Sequence, residues 1–168
     1  FKVRAHPVPP EAARAAGMKS AINLVVRENF GPHRGGPVIA LNAHGDVVPP
    51  GLGWSVDPYG ARIRKGFMFG RGVAVSKSDF ATYAFALLAL NAAAAARRHD
   101  LRGSVELHFT YDEEAGGEIG PKRLLDEGIS RPDFVICAGF AHGITIAHNG
   151  CLHLEVEIIG KSGHAARP

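Results

Sequence analysis

Cysteine is scarce in this 168-residue chain, which has two, Cys137 and Cys151, against 16 acidic residues and 9 histidines. Two thiols without CxxC spacing exclude a disulfide framework and read as reduced, small apolar groups of a cytoplasmic protein. Tryptophan occurs once, at Trp54, and the net charge is only +3. The basic residues are scattered, with no basic run interleaved with aromatics, so nucleic acid is not an expected partner. A basic-then-apolar leader is also missing. The longest apolar stretch, residues 80–96, falls short of the ~20 residues a bilayer span needs. It is mostly alanine, interrupted by Thr82, Tyr83 and Asn91, and reads as a helix packed on a sheet rather than a membrane partner. No G-x-S-x-G elbow is present. Gly160-Lys161-Ser162 would need its first P-loop glycine at Glu155, and Gly70-x-Gly72 lacks the third glycine of a dinucleotide loop.

What is present suits a soluble globular domain. Apolar residues make up 46% and charged residues 21%, and the length allows one domain and a piece of another. The chain opens at Phe1 without Met and stops at Pro168 just after a polar motif, so both ends read as cut. Residues 1–10 are polar and proline-rich, the close of an element. Strands are expected at 21–27, 38–43, 104–110 and 133–137, a hairpin at 61–69 around Lys65-Gly66, and loops at 31–37 and 49–59. A long helix is expected from Ser78 or Asp79 as N-cap to about residue 98, and a short one at 119–127. Apolar and polar residues alternate along 151–159, the pattern of a half-exposed antiparallel strand, and Gly150 reads as a domain boundary.

The stretch at residues 37–49, PVIALNAHGDVVP, organises the chain. Val38 to Leu41 form a short apolar run, as a buried, central strand of a parallel sheet does, and the sequence then turns polar at Asn42, His44 and Asp46. Ligands of open α/β sheets bind beyond the carboxyl ends of strands. There His44 can coordinate a metal while Asp46 holds the ring or orients water; the pair also reads as an ordinary polar loop. Asp112-Glu113-Glu114 ends a second strand and precedes two glycines. It is either a solvated acidic turn or a pairing of a metal-binding carboxylate with a proton acceptor.

Taken in order, His44-Gly-Asp46-Val-Val-Pro49, Trp54, Asp57-Pro58-Tyr59, Gly70-Arg71-Gly72 before Lys77, Asp112-Glu113-Glu114-Ala-Gly-Gly, Pro132-Asp133 and Gly160-Lys-Ser-Gly-His164 form a pattern. It resembles the M20 family of metallopeptidases and amidohydrolases, of the aminoacylase, acetylornithine deacetylase, succinyl-diaminopimelate desuccinylase and glutamate carboxypeptidase type. The resemblance runs from about residue 21 to the end. It implies an α/β fold: a three-layer α/β/α zinc-exopeptidase-like catalytic domain, incomplete over 1–149, followed by the first strand of an α+β lid or dimerisation domain over 150–168. It implies a metal-dependent hydrolase that cleaves an amide of a peptide or N-acyl amino acid, with zinc as one or two ions (or cobalt or manganese) and a homodimer in the full-length protein. His44 and Glu114 would bind metal, Asp46 would steer His44, Glu113 would be the general base, and His164 would hold the oxyanion.

Two departures stand out. The family's bridging aspartate falls on Val75, which cannot bind a cation. Asp79, about one helical turn or ~5.4 Å further on, either substitutes as a metal ligand or serves as an N-cap. The acidic ligand expected after 133–137 meets Ala138 and Gly139, leaving His142 as a weak candidate. The rival reading is a metal-deficient homologue acting as a binding or regulatory module. The remaining histidines read as surface or structural, and Trp54 and Tyr59 as loop-packing residues.

Overall fold

The computed structural model describes residues 1–31, 35–97, 101–139, 146–147, 149–150, 152, 154 and 156–161. Within them a five-stranded mixed sheet runs in the order β1-β2-β6-β3-β7: β1 Lys2–Pro7, β2 Ile22–Phe30, β6 Gly103–Thr110, β3 Val38–His44 and β7 Phe134–Cys137. β1 pairs antiparallel with β2, and β2 antiparallel with β6; β6, β3 and β7 are mutually parallel. A separate hairpin, β4 Arg62–Arg64 and β5 Phe67–Phe69, turns at Lys65-Gly66 as expected. Among the described residues three α-helices accompany the strands: α1 Pro10–Ala15, α2 Lys77–Arg97 and α3 Pro121–Asp126.

The parallel part of the sheet needs a crossover on its face, and α2 supplies it. Its apolar stripe (Tyr83, Ala84, Leu87, Leu90 and Ala94) packs on Val26, Phe30, Leu41, Val105, Leu107 and Phe109. Those strand residues alternate with Ser104, Glu106 and His108, which therefore face the other way. On that second face Ser130, in the turn after α3, reaches Glu106. A smaller cluster of Val8, Ala13, Ala21 and Ile119 seats α1 beside the ends of β1 and β2.

Several expectations are corrected. Residues 1–10 hold the whole of edge strand β1 and the start of α1, where Pro10 takes the first helical position, tolerated because no N–H is needed there. β6, not β3, is the middle strand, because β2 returns antiparallel on its far side. β7, expected to be buried, is exposed at all four residues, since it lies on the sheet's edge. α2 starts at Lys77, so Asp79 lies in its first turn rather than capping it. At 21 residues α2 has the length and mean hydropathy of a membrane span, yet one stripe is committed to the sheet. The strand expected at 151–159 carries no strand assignment at its described residues, which are exposed. A strand needs a hydrogen-bonded neighbour, and none pairs with it among the described residues.

Candidate metal centre

The register of β3 on β6 builds the site. The two strands are parallel with His44 opposite Thr110, so both carboxyl ends finish side by side. The loops leaving them, His44-Gly45-Asp46 and Asp112-Glu113-Glu114, must then meet. The ladder is prolonged one step by Gly45, whose N–H donates to the Thr110 carbonyl at 2.9 Å. Gly45 also has no room for a side chain: a Cβ there would lie 2.5 Å from the Tyr111 ring.

His44 is held at several points. Its N–H donates to the hydroxyl of buried Ser76 at 3.3 Å. Its Nδ1 faces two acceptors of Asp46, the carbonyl at 3.1 Å and Oδ1 at 3.3 Å. Two acceptors place a proton on Nδ1, and in the neutral ring this makes Nε2 the coordinating nitrogen. Nε2 lies 3.7 Å from Glu113 Oε2. Asp46 also accepts the Glu114 N–H through Oδ2 at 3.0 Å, so one carboxylate ties both loops together.

His44, Glu113 and Glu114 each offer a donor atom, and these atoms lie within 4.8 Å of one another. An imidazole lone pair and two carboxylates that face one another repel unless positive charge lies between them. Nitrogen and oxygen donors of this kind suit a borderline divalent ion. The residues present thus fit one cation. Asp79 does not join the group; its Oδ2 is buried without a partner, and its charge, after burial, raises the pKa of Tyr83. Val75 offers no donor atom. His142 and His164 lie outside the described residues.

Lys77, the first residue of α2, feels the charge of Asp46. Burial lowers its pKa, and the charge of Asp46 partly restores it. Its Nζ lies 3.1 Å from where a Gly72 Cβ would stand. Arg71 pins the loop ahead of α2: its Nη2 donates to the Pro50 carbonyl at 2.9 Å, and its guanidinium lies 5.7 Å from the Trp54 ring centroid. Trp54 thus packs a loop, as expected.

The model of peptidase family M20/M25/M40 matches residues 40–158, well over half of the chain. The chain belongs to this family. Among curated relatives of this M20 chain is the succinyl-diaminopimelate desuccinylase of Acidiphilium cryptum (strain JF-5), 36% identical over 156 residues, covering 87% of this chain and 39% of the relative. The desuccinylase of Rhodospirillum rubrum is 34% identical, covering 84% and 40%. The chain therefore spans about two fifths of the length of the relatives it matches. Among solved structures, the M20 family metallo-carboxypeptidase Sso-CP2 from Sulfolobus solfataricus superposes with a TM-score of 0.58 at 20% identity, over 82% of this chain and 29% of that one. That likeness shows the α/β fold of the family.

The sequence pattern singles out His44, Asp46, Glu113 and Glu114, which the fold brings together, but not Ser76, Tyr111 or Asp112 as individual parts. The only signals for them were their positions, one beside the family's Val75 position and two at a strand end.

Proposed function

We propose that the whole protein is a metal-dependent hydrolase that cleaves the amide bond of an N-acyl amino acid or short peptide. One observation carries this: His44, Glu113 and Glu114 bring three donor atoms within 4.8 Å of one another beyond the ends of two parallel strands, an arrangement that suits a cation. A bound zinc ion, or cobalt or manganese, would polarise the scissile carbonyl and make a bound water acidic. His44 and Glu114 hold the ion, and Asp46 keeps the imidazole in the coordinating tautomer. Glu113, 60% exposed, can turn toward substrate; it takes the water's proton and passes it to the leaving amine. His164 stabilises the oxyanion.

The named substrate of the desuccinylase relatives makes an N-succinyl amine the first to test. The described donors gather for one ion; a second would need ligands from elsewhere, because Val75 brings none. Residues 1–149 are read as part of the catalytic domain and 150–168 as the start of a lid or dimerisation domain of a cytoplasmic homodimer, without nucleic-acid or membrane partners.

The test is elemental analysis of the whole protein, paired with turnover of N-succinyl-diaminopimelate, N-acetyl amino acids and dipeptides. Bound zinc with turnover lost in Glu113→Gln is the expected outcome. Metal without turnover, or neither, would favour a non-catalytic binding module.

A further inference from the structure

The turn that carries Glu113 and Glu114 has few contacts of its own. Residues 113–116 are exposed and form a single 3-10 turn at Glu113–Ala115, with no buried residue inside it. Apart from the Asp46 carboxylate, which accepts the Glu114 N–H at 3.0 Å, what fixes it comes from Asp112. That residue is 1% exposed and left-handed, with φ of 86°. Its carbonyl accepts the N–H of Ala115 at 3.0 Å and of Gly117 at 2.8 Å. Its side chain reaches the far end of the segment, where Oδ2 accepts the buried Ile119 N–H at 2.7 Å. One residue therefore closes the loop twice, through its carbonyl and through its carboxylate. Gly120 leaves space for this, since a Cβ there would lie 2.5 Å from Asp112 Oδ1 and collide with the Tyr111 carbonyl.

We propose that the Asp112 side chain is a positioning residue for Glu113 and Glu114, acting as the acceptor that closes the 112–119 loop and aims both carboxylates at His44. The proposal rests on the functional reading above. It separates the two roles of Asp112, because asparagine tolerates the left-handed backbone and keeps an oxygen acceptor, whereas glycine keeps only the backbone.

Asp112→Gly is expected to lower kcat about 10- to 100-fold on N-succinyl-diaminopimelate or the best substrate of the panel, with KM changed less than about threefold, as for a misplaced catalytic group. Asp112→Asn should recover most of that loss. Gly120→Ala, which pushes the carboxyl off its place, should resemble Asp112→Gly. Amide hydrogen exchange at Ala115, Gly117 and Ile119 gives a readout independent of turnover: protection should be present in the wild type, reduced at Ile119 in Asp112→Gly, and restored in Asp112→Asn.

A wild-type protein that binds no metal and turns over nothing would remove the functional reading, while the exchange data would still decide the clamp. Wild-type kcat and protection in Asp112→Gly would overturn the proposal. Equal loss in the asparagine and glycine variants would overturn it too, because the acceptor alone would then not be the cause.

Discussion

Two histidine–carboxylate pairs, each two residues apart, sit in neighbouring strands and behave oppositely. In β6, Glu106 and His108 lie within the strand, 1% and 4% exposed, and both Glu106 carboxylate oxygens are paired. Glu106 Oε2 lies 3.0 Å from His108 Nε2 and accepts the Ser130 hydroxyl, and Oε1 accepts Arg27 at 2.8 Å. At the end of β3, His44 and Asp46 close only on one side of the ring; the other nitrogen faces a carboxylate. The same chemistry is structural where the sheet surrounds it and available for binding where the strands stop. A satisfied buried network holds a fold together, and an unsatisfied one at a loop junction invites a ligand.

The largest effect should come from the open pair. Glu113→Gln is expected to reduce kcat of the whole protein about 10²- to 10⁴-fold, the range of a lost general base, while thermal unfolding is nearly unchanged. A large loss of stability would mean that this end of the sheet is structural as well, and the contrast would fail.

The closed pair should do the reverse. Glu106→Ala removes the acceptor of three donors and should cost about 2–3 kcal/mol of stability, measured by denaturant unfolding. That is below the ~3–5 kcal/mol of a fully buried pair, because the Arg27 side chain is 43% exposed. Activity per folded molecule should persist.

Asp46→Asn sharpens the comparison. The Asp46 main-chain carbonyl still faces Nδ1 at 3.1 Å, but an amide lacks the negative charge that raises the ring's basicity and cannot accept from both His44 and the Glu114 N–H. Zinc affinity should therefore fall about 10- to 100-fold, read by competition with a chelating dye. Unchanged affinity would show that His44 needs no support.

The smallest effect expected is on acid stability. Burial pushes the Glu106 pKa up, but hydrogen bonds from His108 and Ser130 and the charges of His108 and Arg27 outweigh it and hold the carboxyl below its ordinary range. Its contribution is therefore present above the ordinary glutamate range and is lost as pH falls through the lowered folded value. Melting temperatures from pH 7 down to 3 should fall less in Glu106→Gln than in the wild type. Parallel curves would mean that another carboxylate governs the acid limb.

Much of the site was legible because its residues carry the chemistry on their faces: His44 and Asp46 after an apolar run, and Glu113 and Glu114 after another. Asp112 was legible only as one more acid of a cluster. Its left-handed backbone and buried carboxylate follow from packing against residues 119–120, which a local reading does not bring near it. Asp79 was read by its helical spacing from Val75, but distance along a helix does not decide which loop a carboxylate meets. In the fold, β1 and α1 were hidden by three prolines in ten residues, and β7 was misjudged because a short apolar run reads alike in the middle of a sheet and at its edge.

By itself, the amino-acid order marked β2, β3, β6 and β7 as strands and one long helix across them, and named side chains that could hold a cation, because periodicity and residue chemistry are local properties. Only the tertiary structure decided that His44 stands opposite Thr110, so that two loops 66 residues apart end on one another. Strand order and register are set by which apolar faces pack together across the whole sheet, and no single stretch carries that information.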